Sequence, residues 1–411
     1  MEFDLEELKH RVPLLDYIRQ EYPETELRVT GQKTFVACPF HEDKTPSCVI
    51  NEDDTFHCYS CHEHGSLIDF AAAKEGLNPD NNADFKDTCI LIGEKIGMEV
   101  RFTPPNPEIE AYIDEKQALN TSYWKSWKAT TPDSDRDEAF LYLTEKRGLT
   151  PQTLFSFRLG FVPMDEYKRR RDVAYISGRI AFPILEMKAS KDLKKVRCIG
   201  MGYRTLAVDS NDPKYVNDPT KEGVFNKRRV LYGYAHAVES IRKQKAVFIV
   251  EGYMDVISMH QADIKNTVGC MGTALTEEQM DILRAHTSNL YIFMDSDSAG
   301  QKNMMRVLPM LLKKGFNVKI INGNNGMDPA DICLKEKFNT SKVTRYIKDH
   351  AEYAILSVIN QACSSYEDTV IRERLKAIHM ASQYIECIQN PSERQVYEDM
   401  LQKRLDIKGV F

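Results

Sequence analysis

The spacing of apolar and polar positions changes along the chain and predicts several kinds of structure. An amphipathic pattern over residues 5–22, which ends at Pro23, predicts a helix because its apolar residues recur with helical spacing. The proline-rich stretch Thr103–Pro107 predicts a linker at the end of this first region. Between them lie two β-type runs and two helical patterns: 34–36, 48–50, 66–74 and 85–96.

Beyond the linker the pattern predicts a mixed α and β core. A mainly helical pattern covers 110–160, and two β-type runs joined by a lysine-rich turn follow at Arg179–Ile184 and Lys195–Gly200. Residues 246–335 alternate apolar strands with helical patterns, which is typical of βαβ units in a parallel sheet. The segment from Ser341 to the end predicts a small helical bundle. In the alternating region the predicted strands are 246–250, 290–294 and 318–321, and the predicted helices are 255–261, 277–285 and 301–313.

Composition narrows the class of protein. A chain of 411 residues with 42% apolar residues has room for two or three globular domains. It contains no run of 18 apolar residues, and the acidic start Met1–Glu7 is unlike a signal peptide. We therefore expect no membrane contact and a cytoplasmic location. Ten dispersed cysteines without an export signal favour metal binding or burial over disulfides.

Basic residues are concentrated in one part of the chain. The net charge is −6, but Glu166–Lys245 has 19 Lys and Arg against 9 Asp and Glu, a net of +10. Such an excess in one segment favours contact with a polyanion such as a nucleic acid.

Two pairs of metal-ligand residues are separated by a short stretch. Cys38 and His41 are followed, after 16 intervening residues, by Cys58 and Cys61. Two close pairs at this separation predict one tetrahedral Zn²⁺ with four protein ligands, and hence a structural ion. His57, His62 and His64 adjoin the second pair, and we assign them surface positions or positions beside the ligands. Cys48 lies in an apolar run and is predicted to belong to the core, as are the remaining cysteines.

Acidic residues follow each of three predicted strands. The first cluster contains Glu251 and Asp255, the second Asp295 and Asp297, and the third begins with Asp328. Ligands bind at the carboxyl ends of the strands in open α/β sheets, so all three clusters fall at one edge. Carboxylates without His or Cys favour two or more Mg²⁺ or Mn²⁺ ions, which would neutralise the clustered charge. Glu251 is a metal ligand or a general base, and the sequence leaves both open.

Together these motifs resemble the bacterial DnaG-type primases over essentially the whole chain. The pairs Cys38/His41 and Cys58/Cys61 resemble the zinc-binding domain of that family, and the segments Glu251–Asp255 and Asp295–Asp297 resemble its TOPRIM metal site. The resemblance implies template-directed synthesis of short RNA primers on single-stranded DNA from ribonucleoside triphosphates, with an RNA–DNA hybrid as product. Other segments resemble the opening of the polymerase core and its basic subdomain, and by that resemblance these residues line the path of nucleotide phosphates and template: Arg147, Arg179, Arg204, Lys214, Asn217 and Lys227.

The implied fold is α+β and multidomain. A zinc-ribbon domain (1–102) and a linker (103–112) precede a primase core, which comprises a basic α/β subdomain (113–245), a TOPRIM parallel-sheet subdomain (246–336) and a helical subdomain (337–411).

Two departures from the family qualify the resemblance. Family members often have a second carboxylate two residues after the Asp that opens the third cluster, but this chain has Ala330 there and Asp331 one place later. The family's C-terminal domain that docks on the replicative helicase also has no counterpart before Phe411. The resemblance therefore leads us to expect either a shortened chain or a minimal primase, phage- or plasmid-borne, that contacts a helicase differently. The expected location is then the bacterial cytoplasm, or the host cytoplasm if the protein is phage-encoded. No Walker-type motif for ATP-driven unwinding occurs.

Two other functions remain as alternatives. A TOPRIM nuclease or topoisomerase would share the acidic clusters, but a topoisomerase also needs a nucleophilic tyrosine and a second DNA-gripping module. A non-catalytic zinc-finger DNA-binding protein would have no use for clustered negative charge near DNA.

Overall fold

The computed structural model divides the chain into two compact units, the first formed mainly by residues 1–108 and the second by 109–186 and 197–411. Each unit has hydrophobic core residues of its own. The structure describes residues 8–405 with gaps at 9–11, 24–26, 31–32, 39, 42, 44, 52–53, 80, 98–99, 101–106, 130–131, 165, 167–174, 188–195, 207–211, 273, 294–297, 323–325 and 365–370.

The first unit is built on an antiparallel sheet whose strands are neighbours in chain order. Its strands are β1 (Arg28–Thr30), β2 (Lys33–Val36), β3 (Cys48–Ile50), β4 (Phe56–Cys58) and β5 (His64–Gly65). Its helices are α1 (Leu14–Glu21), α2 (Leu67–Glu75) and α3 (Asn82–Lys95). Buried side chains from the sheet and all three helices, among them Tyr17, Phe56 and Phe70, form its core.

The prediction of one helix over residues 5–22 is wrong. The helix α1 begins after Pro13, and Val12 and Pro13 are not helical. Proline has no backbone N–H and its ring clashes with the preceding turn, so it starts a helix more readily than it continues one. The strands β1, β4 and β5 have only two or three residues each, too few for an alternating pattern to show in the sequence.

The second unit opens with helices and a four-stranded sheet. The helices are α4 (Pro107–Ser126), α5 (Ser134–Leu141) and α6 (Pro151–Ser156), with a π-helix at Tyr142–Lys146. The sheet has the order β6 (Gly160–Phe161), β7 (Ile180–Met187), β8 (Val196–Arg204) and β9 (Tyr215–Asn217). The first turns of α4 thus lie within the predicted linker 103–112, where Pro107 occupies a first-turn position that proline tolerates. The predicted lysine-rich turn lies outside the described residues.

A five-stranded sheet forms the centre of the second unit. Its order is β11 (Thr267–Gly269), β10 (Val247–Val250), β12 (Asn289–Ile292), β13 (Asn317–Ile321) and β14 (Ala351–Tyr353). The first four strands in this order are parallel, and β14 pairs with β13 in the antiparallel direction. Its accompanying helices are α7 (Tyr234–Gln244), α8 (Tyr253–Gln261), α9 (Glu277–Arg284), α10 (Ser298–Lys313) and α11 (Pro329–Lys335).

The last part of the chain is mainly helical, as predicted, but it is not only helical. Its helices are α12 (Thr340–His350), α13 (Ala354–Ser364), α14 (Ile371–Ile385) and α15 (Pro391–Arg404). The strand β14 interrupts them and extends the sheet, so the prediction of a purely helical tail is corrected. Buried residues of α13, including Ile355 and Ile359, join the same core as strand residues Ile249 and Ile292.

The predicted α+β class, with a cysteine-rich N-terminal β module and a core around a parallel sheet, is confirmed. Among the described residues, no helix is both long and apolar enough to span a membrane.

Candidate metal centres and nucleic-acid interface

The four predicted zinc ligands come together in the first unit. One ligand atom from each of Cys38, His41, Cys58 and Cys61 lies within 4.8 Å of all the others. The Sγ atoms of Cys38 and Cys61 are 3.6 Å apart. The hairpin turn after β4 brings Cys61 back beside Cys58, and the backbone N–H groups of Ser60 and Cys61 both donate to Cys58 Sγ at 3.4 Å. Such N–H contacts stabilise a thiolate, the form in which cysteine binds metal.

Asp43 organises the loop that carries the first ligand pair. Its Oδ2 accepts hydrogen bonds from the backbone N–H groups of Cys38 and Ser47, both at 3.0 Å, and from the Ser47 hydroxyl at 2.8 Å. Its Oδ1 is 3.8 Å from His41 Nε2. A carboxylate near the second ring nitrogen of a ligating histidine is a common support of metal sites.

The donor set fits a tetrahedral zinc ion. The His41 Nδ1 atom is buried and has no hydrogen-bond partner among the described residues, which a metal ion would correct. Burial disfavours ionisation of Cys58, but hydrogen bonds from Cys61, Ser47 and Ser60 outweigh it and lower the pKa of this thiol to about 6. Three cysteines and one histidine in this arrangement would hold the ion by four protein ligands, leaving no open coordination position.

The residues around the zinc site are placed as the sequence suggested. Cys48 is fully buried in the core of the unit. Of the neighbouring histidines, His62 and His64 are exposed and His57 is half-buried. Phe40 stacks on Phe56 with ring centroids 5.2 Å apart.

The strand order of the parallel sheet reverses where the first two acidic clusters follow their strands in the sequence. The chain runs from β10 outward to β11, then returns to β12 on the other side of β10 and continues to β13. The order therefore reverses between β10 and β12, whose carboxyl ends carry Glu251 and the segment 294–297. Ligands in open α/β sheets bind at such a reversal. Asp295 and Asp297 themselves lie outside the described residues.

Asp255 joins the first and third acidic clusters. It is buried on α8, where its Oδ2 accepts a hydrogen bond from Gly252 N at 3.0 Å and its Oδ1 one from Ala330 N at 3.3 Å. The second bond fixes the start of α11 next to the loop after β10. Its predicted metal ligation stays a prediction, while these bonds show that the residue also positions the other acidic groups.

The third cluster combines a helix cap with an arginine contact. Asp328 caps α11 by accepting a hydrogen bond from Asp331 N at 2.7 Å. Burial raises the pKa of Asp328 above its usual value, against the lowering effects of that bond and of Arg147. Arg147 Nη1 lies 3.7 Å from Asp331 Oδ1, which brings one of the predicted phosphate-binding residues to the acidic edge.

The predicted basic residues differ in their surroundings. Arg179 is 4% exposed, and its guanidinium donates to the carbonyl oxygens of Tyr175 at 2.8 Å and Pro213 at 2.9 Å. Burial lowers the pKa of Arg179, although Asp212 opposes the shift. The Arg179 guanidinium is therefore engaged by backbone carbonyl groups of the protein itself. Its predicted place on a phosphate path stays a prediction. Lys214 and Lys227 are exposed.

Asn217 contacts the loop after β10 directly. Its Oδ1 accepts a hydrogen bond from the hydroxyl of Tyr253, whose ring stacks on Phe182 with centroids 5.0 Å apart. Gly202 makes room for this tyrosine, because a Cβ atom there would collide with the Tyr253 hydroxyl. The basic subdomain and the first acidic cluster are therefore packed together.

Sequence reasoning missed two groups of side chains that the fold brings to this region. Tyr142 contacts both Arg147 and Arg204, and Gln261 at the end of α8 hydrogen-bonds the segment after Arg147. The contact between Tyr142 and Arg147 is local, whereas the contact of Tyr142 with Arg204 and the hydrogen bond of Gln261 depend on the tertiary structure.

Three family models match consecutive parts of the chain. The CHC2 zinc finger matches residues 2–106, the DNA primase catalytic core N-terminal domain matches 164–238, and the Toprim-like model matches 248–333. The first match contains all four predicted zinc ligands. The third contains the first two acidic clusters together with Asp328 and Asp331.

Known proteins with this combination are similar over most of the chain. The DNA primase of Staphylococcus aureus (strain COL) is 28% identical over 368 residues, which cover 84% of this chain and 59% of that relative. The zinc-binding and RNA polymerase domains of the Aquifex aeolicus primase match 99% of this chain and 98% of theirs, with a TM-score of 0.54 and 24% identity. A DnaG primase catalytic domain solved with single-stranded DNA matches 74% of this chain and 99% of its own, with a TM-score of 0.62 and 24% identity.

Fold and site together define a zinc-ribbon protein with a Toprim core. Its parts follow one another in the order of a CHC2 zinc finger, a primase-type N-terminal core domain and a Toprim sheet. In these parts and in their order the chain is similar to the DnaG-type primases. It spans about three-fifths of the length of the curated relative described above.

Proposed function

We propose that this chain is a DNA primase, a nucleotidyltransferase that copies single-stranded DNA into short RNA primers from ribonucleoside triphosphates. One observation carries the proposal. Arg147, which follows the π-helix Tyr142–Lys146, reaches the acidic edge of the Toprim sheet at Asp331, so that groups suited to phosphates and groups suited to divalent ions lie side by side.

The acidic edge supplies the proposed metal site. The Mg²⁺ or Mn²⁺ ions would be held by Glu251, Asp255, Asp295, Asp297 and Asp328. The hydrogen bonds of Asp255 also connect the loop after β10 to the start of α11. These carboxylates would hold divalent ions whose charge would activate the primer 3′-hydroxyl and offset the charge on the triphosphate and the leaving pyrophosphate. A role of Glu251 as a metal ligand and a role as general base are both compatible with its position at the end of β10.

The basic residues of the core would orient the nucleotide and template. Arg147 and Arg204 offer planar guanidinium groups that suit phosphate oxygens, while the exposed Lys214 and Lys227 offer point charges for the backbone of the nucleic acid. Asn217 would contribute by holding Tyr253, which begins α8 next to the first acidic cluster.

The zinc module would hold the template and the first nucleotides. Tyr59 is 55% exposed beside the zinc ligands and suits stacking on an unpaired base. Phe40 and Phe56 pack on each other and against Phe70, which gives them a structural role instead. A replicative helicase is the expected partner, and the RNA–DNA hybrid is the expected product.

The test is synthesis of RNA on a mixed-sequence single-stranded DNA. The protein is incubated with template, the four ribonucleoside triphosphates and Mg²⁺ or Mn²⁺, and products are resolved on a denaturing gel. We expect short, template-dependent oligoribonucleotides, and we expect their loss in Asp295→Ala because a metal ligand is removed. Asp349→Ala is the matched control, since Asp349 is an exposed aspartate on α12 whose recorded ion pair is with the exposed Arg345.

The contrary outcomes are distinct. Nicking or relaxation of DNA without RNA synthesis would favour a Toprim nuclease or topoisomerase. DNA binding with neither reaction, in either metal and with a helicase present, would favour a non-catalytic zinc-finger protein. Equal activity of Asp295→Ala and Asp349→Ala would refute the proposed metal site.

A further inference from the structure

The Tyr142 ring contacts two arginines that the chain supplies from separate elements. The Arg204 Cζ atom is 4.7 Å from the centre of the Tyr142 ring, and the Arg147 Cζ atom is 5.5 Å from the same point. Arg147 Nε also donates a hydrogen bond to the Tyr142 hydroxyl at 2.7 Å. Both guanidinium groups therefore lie close to the same ring, and so they are close to each other.

A local irregularity of the helix produces this arrangement. The chain widens from α5 into a π-helix that begins at Tyr142, and Arg147 N donates to Tyr142 O at 3.0 Å across five residues. Gly148 then turns the chain with a φ of 66°, a value that favours glycine. The wide turn places Arg147 beside Tyr142, the first residue of the π-helix. π-Turns of this kind often mark functional positions.

The charges and hydrogen-bond donors of Arg147 and Arg204 are only partly satisfied by the described residues of the protein. Arg147 has the carboxylate of Asp331 at 3.7 Å. Arg204 is 7% exposed and donates to the Tyr215 hydroxyl at 2.6 Å, but its Nε is buried and has no hydrogen-bond partner among the described residues. A buried donor without an acceptor is costly, and two neighbouring guanidinium groups repel each other. An anion with several oxygens would offset the repulsion between the two guanidinium groups.

We infer that Tyr142 is a positioning residue that holds Arg147 and Arg204 as a two-part clamp for the triphosphate of the incoming nucleotide. The inference rests on the proposed function and adds to it the residue that sets the spacing of the two charges. Tyr142 touches no phosphate in this scheme. Its ring orients Arg204, and its hydroxyl orients Arg147.

The first experiment compares Tyr142→Phe, which keeps the ring, with Tyr142→Leu, which removes the ring and the hydroxyl. In RNA synthesis on single-stranded DNA we expect Tyr142→Phe to raise KM for the triphosphate by up to about tenfold, as expected for one lost hydrogen bond, with little change in kcat. Tyr142→Leu should raise KM further. Tyr384→Phe is the matched control, because it removes a tyrosine hydroxyl from α14 and should leave KM unchanged.

A double-mutant cycle separates positioning from general stability. If Tyr142 acts through Arg147, Tyr142→Phe should have little further effect on KM in an Arg147→Ala background. Equal effects of Tyr142→Phe in both backgrounds, or a parallel fall in melting temperature and DNA affinity that accounts for the change, would overturn the inference.

Binding of ATP in Ca²⁺, measured by calorimetry on the full chain, separates this inference from the proposed function. Weaker binding by Tyr142→Phe than by the wild type supports the clamp even if no RNA is ever made. Equal binding by the wild type and both Tyr142 variants refutes the clamp even if RNA synthesis is robust. A wild-type protein that binds no ATP would refute both.

Discussion

At the scale of single residues, burial shifts the pKa of a histidine in α8 away from its usual value. His260 lies in α8, where its Nε2 is 2.9 Å from the Thr267 carbonyl oxygen and its ring meets Phe157 edge-on at 5.2 Å. Burial lowers the pKa of His260 to about 4, against the opposing effect of the bond to Thr267. His260 therefore stays neutral in the folded protein at a pH where the unfolded chain binds a proton.

This burial predicts an acid-sensitive fold. Between pH 6.5 and pH 4 the unfolded chain takes up a proton at His260 that the folded chain does not, so the free energy of unfolding falls as the pH falls. The loss from this one group amounts to about 3 kcal/mol over the full interval. His260→Gln, which retains a donor but has no proton to gain, should flatten the dependence in urea titrations at pH 7, 6 and 5.

The control for this prediction is His379→Gln, since His379 is exposed. A pH dependence that is as steep in His260→Gln as in the wild type and in His379→Gln would contradict the assignment. His286 has its pKa lowered to about 4 by burial as well, so part of the slope should remain.

At the scale of secondary-structure elements, one glutamine connects α8 to the segment that follows Arg147. Gln261 Oε1 accepts hydrogen bonds from Thr150 N at 2.8 Å and the Thr153 hydroxyl at 2.6 Å. Its Nε2 donates to Gly148 O at 2.8 Å. The Gln261 side chain thus connects the start of α6 and the turn at Gly148 to the end of α8, a helix that accompanies the five-stranded sheet.

We expect Gln261→Ala to loosen this segment. Loss of the three bonds should lower the free energy of unfolding by about 1–3 kcal/mol, because partly buried donors and acceptors are left without partners. Amide hydrogen exchange of residues 147–153 should become faster than in the wild type. The exposed Gln244 at the end of α7 provides the control variant Gln244→Ala, and equal exchange in the two variants would refute the connection.

At the scale of the whole molecule, the two compact units have separate cores and different sources of stability. The core of the first unit includes two proposed zinc ligands, Cys38 and Cys58, and is small. The second unit contains two larger clusters of buried residues. Small units commonly need a metal or another covalent or ionic support to remain folded.

Removal of zinc should therefore unfold one unit and spare the other. We expect Cys38→Ser, or treatment with a chelator, to abolish bound zinc and to make the first unit sensitive to protease, while the second keeps its unfolding transition. Template-dependent RNA synthesis should be lost with it. Cys363→Ser, a change in α13, should keep one zinc per chain. Full zinc content in Cys38→Ser would refute the ligand assignment.

The sequence by itself determined the features that depend on neighbouring residues. The ligand pairs Cys38/His41 and Cys58/Cys61 each lie within one turn, so their spacing predicted a metal site before any fold was known. Three of the four parallel strands, β10, β12 and β13, were equally predictable, because each is an apolar run with an acidic cluster after it, whereas the short strand β11 was not predicted. Short strands such as β5 and β14 escaped prediction, since their pairing partners rather than their own residues stabilise them.

Only the tertiary structure decided how distant residues combine. The reversal of strand order that places the β10 and β12 ends together is a property of the sheet, and no local pattern specifies it. The same holds for the bond from Asp255 to Ala330 and for the contact of the Tyr142 ring with Arg204. The physical reason is that periodicity and residue type report local preference, whereas these contacts form between elements that meet only when the cores assemble.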